Sequence, residues 1–145
     1  MKKTILIIVA VLVAIQLIRP ERTNPPVDPS LTLQTDPEVM RILKRSCYDC
    51  HSNETKWPWY SNIAPLSWSI TSHVKEGREA LNFSKWHQID PKTKKKRLKR
   101  AVKTTSNGMM PLPSYLWIHH DAKLSKADKA RLKAWFEAQL QQLPE

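Results

Sequence analysis

An all-α fold is what this sequence predicts, and three observations carry that reading. Only two glycines stand among 145 residues, against eleven prolines, a composition poor in the turn glycines that a β-sandwich needs. Four stretches space their apolar residues at intervals of three and four, with a cap or a proline at the start of each. No strand-rich run appears between them. The length supports one domain plus a tail.

The chain begins Met1-Lys2-Lys3 and continues with an apolar run from Ile5 to Ile18, broken only by Gln16. A charged start before a short apolar stretch is the pattern of an export signal. At about 14 residues the run is shorter than the roughly 20 of a comfortable transmembrane helix. No small-x-small cleavage site follows it, so residues 1–19 are read as an uncleaved signal anchor in preference to a cleaved peptide. By the positive-inside rule Lys2 and Lys3 stay in the cytoplasm, although Arg19 and Arg22 weaken the asymmetry. The remainder is then expected on the periplasmic side of a bacterial inner membrane, or free in the periplasm if the signal is removed. Pro20, Pro25, Pro26 and Pro29 make residues 20–34 an extended linker that holds the domain off the membrane.

The domain itself is expected over residues 35–143. Thr35 and Glu38 read as a capping box with Pro37 in the first turn, leading a helix with Val39, Ile42 and Leu43 on one face. Pro65 opens a second helix with Leu66, Ile70, Val74 and Leu81 aligned. Asp90 and Pro91 start a third, with Leu98, Ala101 and Val102 as its apolar side, ended by Asn107-Gly108. Ser125 and Asp128 cap the last, whose stripe is Leu132, Trp135, Phe136, Leu140 and Leu143.

The first helix runs into Cys47-Tyr48-Asp49-Cys50-His51, which contains both cysteines of the chain. C-x-x-C-H is the attachment pattern for a c-type haem. The two thiols, one helical turn apart, can each form a thioether with a vinyl group, and the adjacent imidazole can ligate the iron. A short-range disulfide is the plainer alternative. A thioredoxin-like pair is disfavoured because such motifs follow a strand. Structural zinc is disfavoured because no further Cys or closely spaced His pair completes a four-ligand set.

A second axial ligand is sought among Met110, Met109, His73, His87, His119 and His120. Asn107-Gly108-Met109-Met110-Pro111-Leu112-Pro113 is a proline-stiffened loop after a glycine, which suits a thioether held against iron, with Met110 preferred. Methionines more often simply fill core space. The chain also has six tryptophans. Most are expected in the core, while Trp57, Trp59, Tyr60 and Trp68 are candidate aromatic walls for the flat cofactor.

These motifs resemble the haem-binding-domain family of small exported bacterial proteins, similar in pattern to class I cytochromes c. The resemblance is carried by Cys47 to Asn53, Thr55, Trp57-Pro58-Trp59-Tyr60-Ser61, Ala64-Pro65, Ser67-Trp68, His73-Val74, Gly77-Arg78 and Leu81 to Ser84 with Trp86. It continues through Gly108, Met110-Pro111-Leu112, Tyr115, His119, Ala122, Leu124-Ser125 and Trp135, covering about residues 36–140. It implies a cytochrome c-like helical domain around one covalent haem c with its iron. Cys47 and Cys50 are the implied attachment points, His51 the proximal ligand and Met110 the distal one. It also implies that the first and last helices of the domain cross and pack. Met109 departs from the pattern, as does the strongly basic segment Lys92–Arg100.

The net charge is +11; residues 1–25 contribute Lys2, Lys3, Arg19, Arg22 and Glu21, a net +3, which leaves +8 on the rest. Lys92–Arg100 packs seven basic residues into nine. An exported location argues against nucleic acid as the partner. A solvated helix face is the simplest reading, and docking of an acidic redox partner is the functional one. Two functions are therefore carried forward. One is a membrane-tethered electron carrier rather than an enzyme. The other is a haem-based sensor or peroxidase-like enzyme with an open distal site and His119, His120 or Arg78 as acid–base groups.

Overall fold

The computed structural model describes residues 1–144, and among these every regular element is helical. Seven α-helices follow in order: α1 Lys2–Ala14, α2 Pro37–Ser46, α3 Tyr48–His51, α4 Leu66–Ala80, α5 Pro91–Ser106, α6 Pro113–Leu116 and α7 Lys126–Gln141. Short 3-10 turns lie at Ile15–Leu17, Trp59–Asn62, Phe83–Gln88 and His120–Ala122.

α2 starts where the prolines predict, but its cap is Asp36 rather than Thr35. The Asp36 carboxylate accepts from the Val39 N–H at 3.0 Å. Glu38 does not close a capping box; it turns outward to Arg131 of α7, at 3.0 Å. Two polar residues precede Pro37, and the nearer one sits at the N-cap position. α4 opens after Pro65 as expected, yet Leu66 is exposed and only Val74, Ser67 and Gly77 are buried along the helix. Asp90 caps α5 by accepting from Thr93 N–H, and Gly108 follows its end with φ +77°, a backbone state that glycine reaches without Cβ strain. Ser125 and Asp128 form a complete capping box on α7.

α5 packs along α7, and α2 packs on α7 through Arg45–Asp128 at 2.8 Å and Arg131–Asp36 at 3.0 Å. The core is one cluster: Leu33, Val39, Ile42, Leu43, Tyr48, Phe83, Trp86, Leu98, Leu124, Leu132, Trp135 and Phe136 among its members. Its aromatic rings form a contiguous row. Tyr48 stacks on Phe83 (5.4 Å), Phe83 on Trp86 (6.2 Å), and Trp86 meets Trp135 (5.7 Å). Of the six tryptophans only Trp86 and Trp135 are fully buried.

Residues 20–34 lie along the domain instead of standing free. Arg22 donates to Ser61 O, Asn24 donates to Thr55 O, and Pro26 O accepts from Asn53. Leu31 O accepts from His87 N–H, Leu33 N–H donates to Phe83 O, and the Leu33 side chain is a core member. The segment forms no helix, turns at residues 29–31 where Leu31 N–H donates to Asp28 O, and bonds its polar groups to the domain surface. α1 is 13 residues long and buries none of them. Among the described residues no helix is long and apolar enough to cross a membrane.

Asp36→Ala should lower stability by about 1 kcal/mol in urea unfolding. Thr35→Ala should stay within about 0.5 kcal/mol of the parent, an outcome the capping box at Thr35 would not give.

Candidate functional site

Three cavities adjoin along α3, joined by the residues they share. The middle one, about 220 Å³, is lined by Cys47, Cys50 and His51, by His73, Glu76, Gly77 and Ala80 of α4, and by Met110, Pro111, Leu112 and Tyr115. A smaller one, about 90 Å³, shares Cys47, His51, Met110 and Pro111 and reaches Phe83, Arg97, Arg100, Ala101 and Phe136. A third, about 280 Å³, shares Cys50, His73, Leu112 and Tyr115 and extends to Tyr60, Leu66, Ile70, Trp117 and His119. The middle cavity alone is smaller than the roughly 300–1,000 Å³ of cofactor sites, and its neighbours bring the trough into that range.

Cys47 ends α2 and precedes α3, so the motif is a single tight turn. The Cys50 and His51 N–H groups both donate to Cys47 O, at 3.2 and 2.9 Å. This turn rests on α4 at Gly77. A Cβ there would overlap the Cys50 carbonyl oxygen, with the Cys50 carbonyl carbon 2.9 Å and its Cβ 3.0 Å away. Gly77 therefore permits backbone-to-backbone contact. Its signal in the sequence is a glycine inside a helical pattern.

His51 Nδ1 lies 3.0 Å from Leu81 O, just past the end of α4. A carbonyl only accepts, so Nδ1 carries the proton and the Nε2 lone pair is left free. That is the tautomer a metal-ligating histidine needs, with its other nitrogen held by an outer partner. Burial pushes the His51 pKa down, against the raising effect of backbone acceptors at Leu81 and Gly77. Burial also pushes the Cys47 thiol up to about 12 and the Cys50 thiol up to about 11. Both are free thiols, protonated at neutral pH.

Asp49, inside the motif, ties the turn to its surroundings. Its backbone O accepts from Thr55 Oγ1, Oδ1 from Lys56 N–H, and Oδ2 from the Tyr115 hydroxyl at 2.7 Å. Tyr115 stacks on His119 at 4.2 Å, and His119 Nε2 meets the Tyr60 hydroxyl at 2.6 Å. Burial, then the Asp49 hydrogen bond, raises the Tyr115 pKa. Neither Asp49 nor Tyr115 stands out in the sequence as a pair, because 66 residues separate them.

Of the sequence-derived candidates, Cys47, Cys50, His51 and Met110 come together in the middle cavity, with His73 on its α4 wall. Met109 does not join them: it is 57% exposed, its N–H held by Asn107 Oδ1, while Met110 N–H donates to Thr104 O. His119 lines the outer cavity with Nε2 already hydrogen-bonded. His87 and His120 are exposed. Arg78 lies outside the trough and donates to Ser52 O, Thr23 O, Asn24 Oδ1 and Thr55 Oγ1, which makes it a staple for the N-terminal segment. Of the four aromatic wall candidates only Tyr60 lines the trough. Trp57 lines a separate cavity beside Glu21 and Pro25, with its Nε1 buried and unpartnered. Trp59 is 75% exposed, and Trp68 Nε1 donates to Ile18 O.

A family model described as a haem-binding domain matches residues 10–138. Neither a curated protein nor a solved structure matches the chain. The trough fits such a group on its own terms. It offers a free imidazole nitrogen, a thioether sulfur, two thiols and a glycine at the close backbone contact, within largely apolar walls.

Gly77→Ala gains up to about 1 kcal/mol of helix propensity but must displace the Cys50 backbone, an overpacking cost of about 1–3 kcal/mol. A lower melting temperature and a lower yield of haem-loaded protein are expected. Stability of the cofactor-free chain should also depend on His51. Its folded pKa lies below the ordinary 6.5, so the unfolded state binds the proton first as pH falls. The stabilisation is complete above pH 6.5 and declines below it. Urea titrations of His51→Asn should lack this part of the decline.

Proposed function

Since this chain belongs to the haem-binding-domain family, we propose that it carries one covalent c-type haem and works as a membrane-tethered, periplasmic electron carrier. The observation that supports this most is the convergence of Cys47, Cys50, His51 and Met110 on one cavity. Cys47 and Cys50 would hold the group through thioether bonds, His51 through Nε2 and Met110 through its sulfur. The bound group supplies a one-electron couple, and a His/Met pair raises its potential in favour of electron transfer.

The residues of the chain orient and shield. Leu81 O fixes the His51 ring, Gly77 lets the motif sit against α4, and Thr104 O holds the Met110 backbone. Phe83, Ala101, Leu112 and Phe136 line the trough with apolar surface, which lowers the local dielectric. The alternative of an acid–base site receives less support, because His119 is engaged by Tyr60 and Arg78 by the N-terminal segment. The partner in electron exchange is an acidic protein, steered by α5, whose Lys92, Lys96, Lys99 and Arg100 are exposed and which has no acidic residue within it. α1 supplies the tether as an apolar segment with Lys2 and Lys3 at the end away from the domain.

Denaturing mass spectrometry should find one haem bound to the chain, and none retained after Cys47→Ser with Cys50→Ser. The reduced protein should be six-coordinate and low-spin. Met110→Ala should become five-coordinate, bind carbon monoxide rapidly and lose potential, within the roughly 0.8 V over which axial ligands tune haem. His73→Ala and Met109→Ala should leave the spectrum as it was. An unchanged Met110→Ala spectrum would refute the assignment.

A further inference from the structure

α1 is joined to the domain at a rigid root. Gln16 clamps Ala64 with both ends of its amide: Oε1 accepts from Ala64 N–H at 2.9 Å and Nε2 donates to Ala64 O at 3.1 Å. Trp68 Nε1 donates to Ile18 O at 2.9 Å, and Arg22 donates to Ser61 O at 2.8 Å. The helix is thus fixed to the turn Trp59–Asn62 and to the start of α4.

The domain's exposed large apolar side chains gather on this same side. Ile63 and Leu66 flank the clamped Ala64-Pro65 pair, and Leu66, Trp117 and Ile118 border one cavity mouth with Tyr60. Trp59, whose ring lies 5.8 Å from Tyr60, and Trp117 are 75% and 76% exposed. Beyond this rim and the N-terminal segment through Ile18, only Val27 and Met109 are exposed large hydrophobics among the described residues. A grouped apolar patch with two open indoles is a contact surface rather than scatter. Indoles of this kind favour the headgroup level of a bilayer, where an apolar ring and a polar N–H are both satisfied.

We propose that Trp59, Ile63, Leu66, Trp117 and Ile118 form a lipid-contact rim that seats the domain in the interface of the bilayer receiving α1. This rests on the tether reading above. Helix length points the same way. Lys2–Ala14 at about 1.5 Å per residue, continued by the 3-10 turn Ile15–Leu17 at about 2.0 Å, reaches about 26 Å, short of the roughly 30 Å hydrocarbon core. A helix that short, clamped at its root, draws the adjacent surface toward the lipid.

The test uses the full haem-loaded chain and vesicles of phosphatidylcholine and phosphatidylglycerol that carry a photoactivatable diazirine on the acyl chain near the headgroup. The wild type should float with the vesicles and, on illumination, form lipid adducts on peptides holding residues 59–66 and 117–118 as well as on α1, mapped by mass spectrometry. Trp59→Asp with Ile63→Asp, both outside the trough, should still float and lose the adducts on the domain. Flotation with adducts on α1 alone in the wild type overturns the rim and leaves the tether standing. A wild type that does not float, behaving like Leu12→Lys, overturns the tether and the rim together.

Discussion

The contact between the α3 turn and Gly77 is what the rest of the site depends on. With no side chain between them, the Cys50 backbone lies directly on α4, and α4 then ends where its Leu81 carbonyl meets His51 Nδ1. One helix thus sets both the height of the two thiols and the direction of the imidazole. A larger residue would push the turn outward and break both relations together. Asp49 fastens the opposite side of the turn to Lys56 and Tyr115, so the motif is held from two directions by groups outside it.

Met110 reaches the same cavity by a different device. α5 is anchored to α7 by Leu98 and its neighbours, and the chain must reverse after Ser106 to return toward α3. Gly108 makes that reversal at positive φ, and Asn107 Oδ1 captures Met109 N–H on the outside of the bend. The next residue then falls inside, with its N–H on Thr104 O. Which methionine faces the trough is decided by this reversal. Adjacent residues in a bend leave on different sides.

Much of this was legible in the chain, for reasons that differ by element. The cap of α7 and the start and end of α5 are short-range chemistry, a few residues each, and they read directly. The cap of α2 read one residue wrong, because Thr35 and Asp36 are both good caps and Glu38 looked like the third member of a box. It is instead drawn to Arg131, 93 residues away. The tryptophans show the limit most clearly. Their number signals a large apolar demand, but the stretch Trp57-Pro58-Trp59 does not say which ring faces inward. Trp57 goes under the N-terminal segment and Trp59 into solvent. Cys47, Cys50 and His51 share one cavity because they share one turn, and their spacing in the chain already dictates that. Asp49–Tyr115 and Tyr60–His119 were not legible, since only the folded chain brings them together.

The bonded course of residues 20–34 bears on how such a protein meets others. A free chain of that length, fully extended, spans about 50 Å, and a domain on such a leash would sweep a wide volume. Here Arg22, Asn24, Leu31 and Leu33 tie that length down, and the leash has no slack. Under the tether proposed above, the domain would keep a fixed heading and a fixed height. Its encounters would then become a two-dimensional search, in which the other molecule arrives by lateral diffusion or is tall enough to reach down.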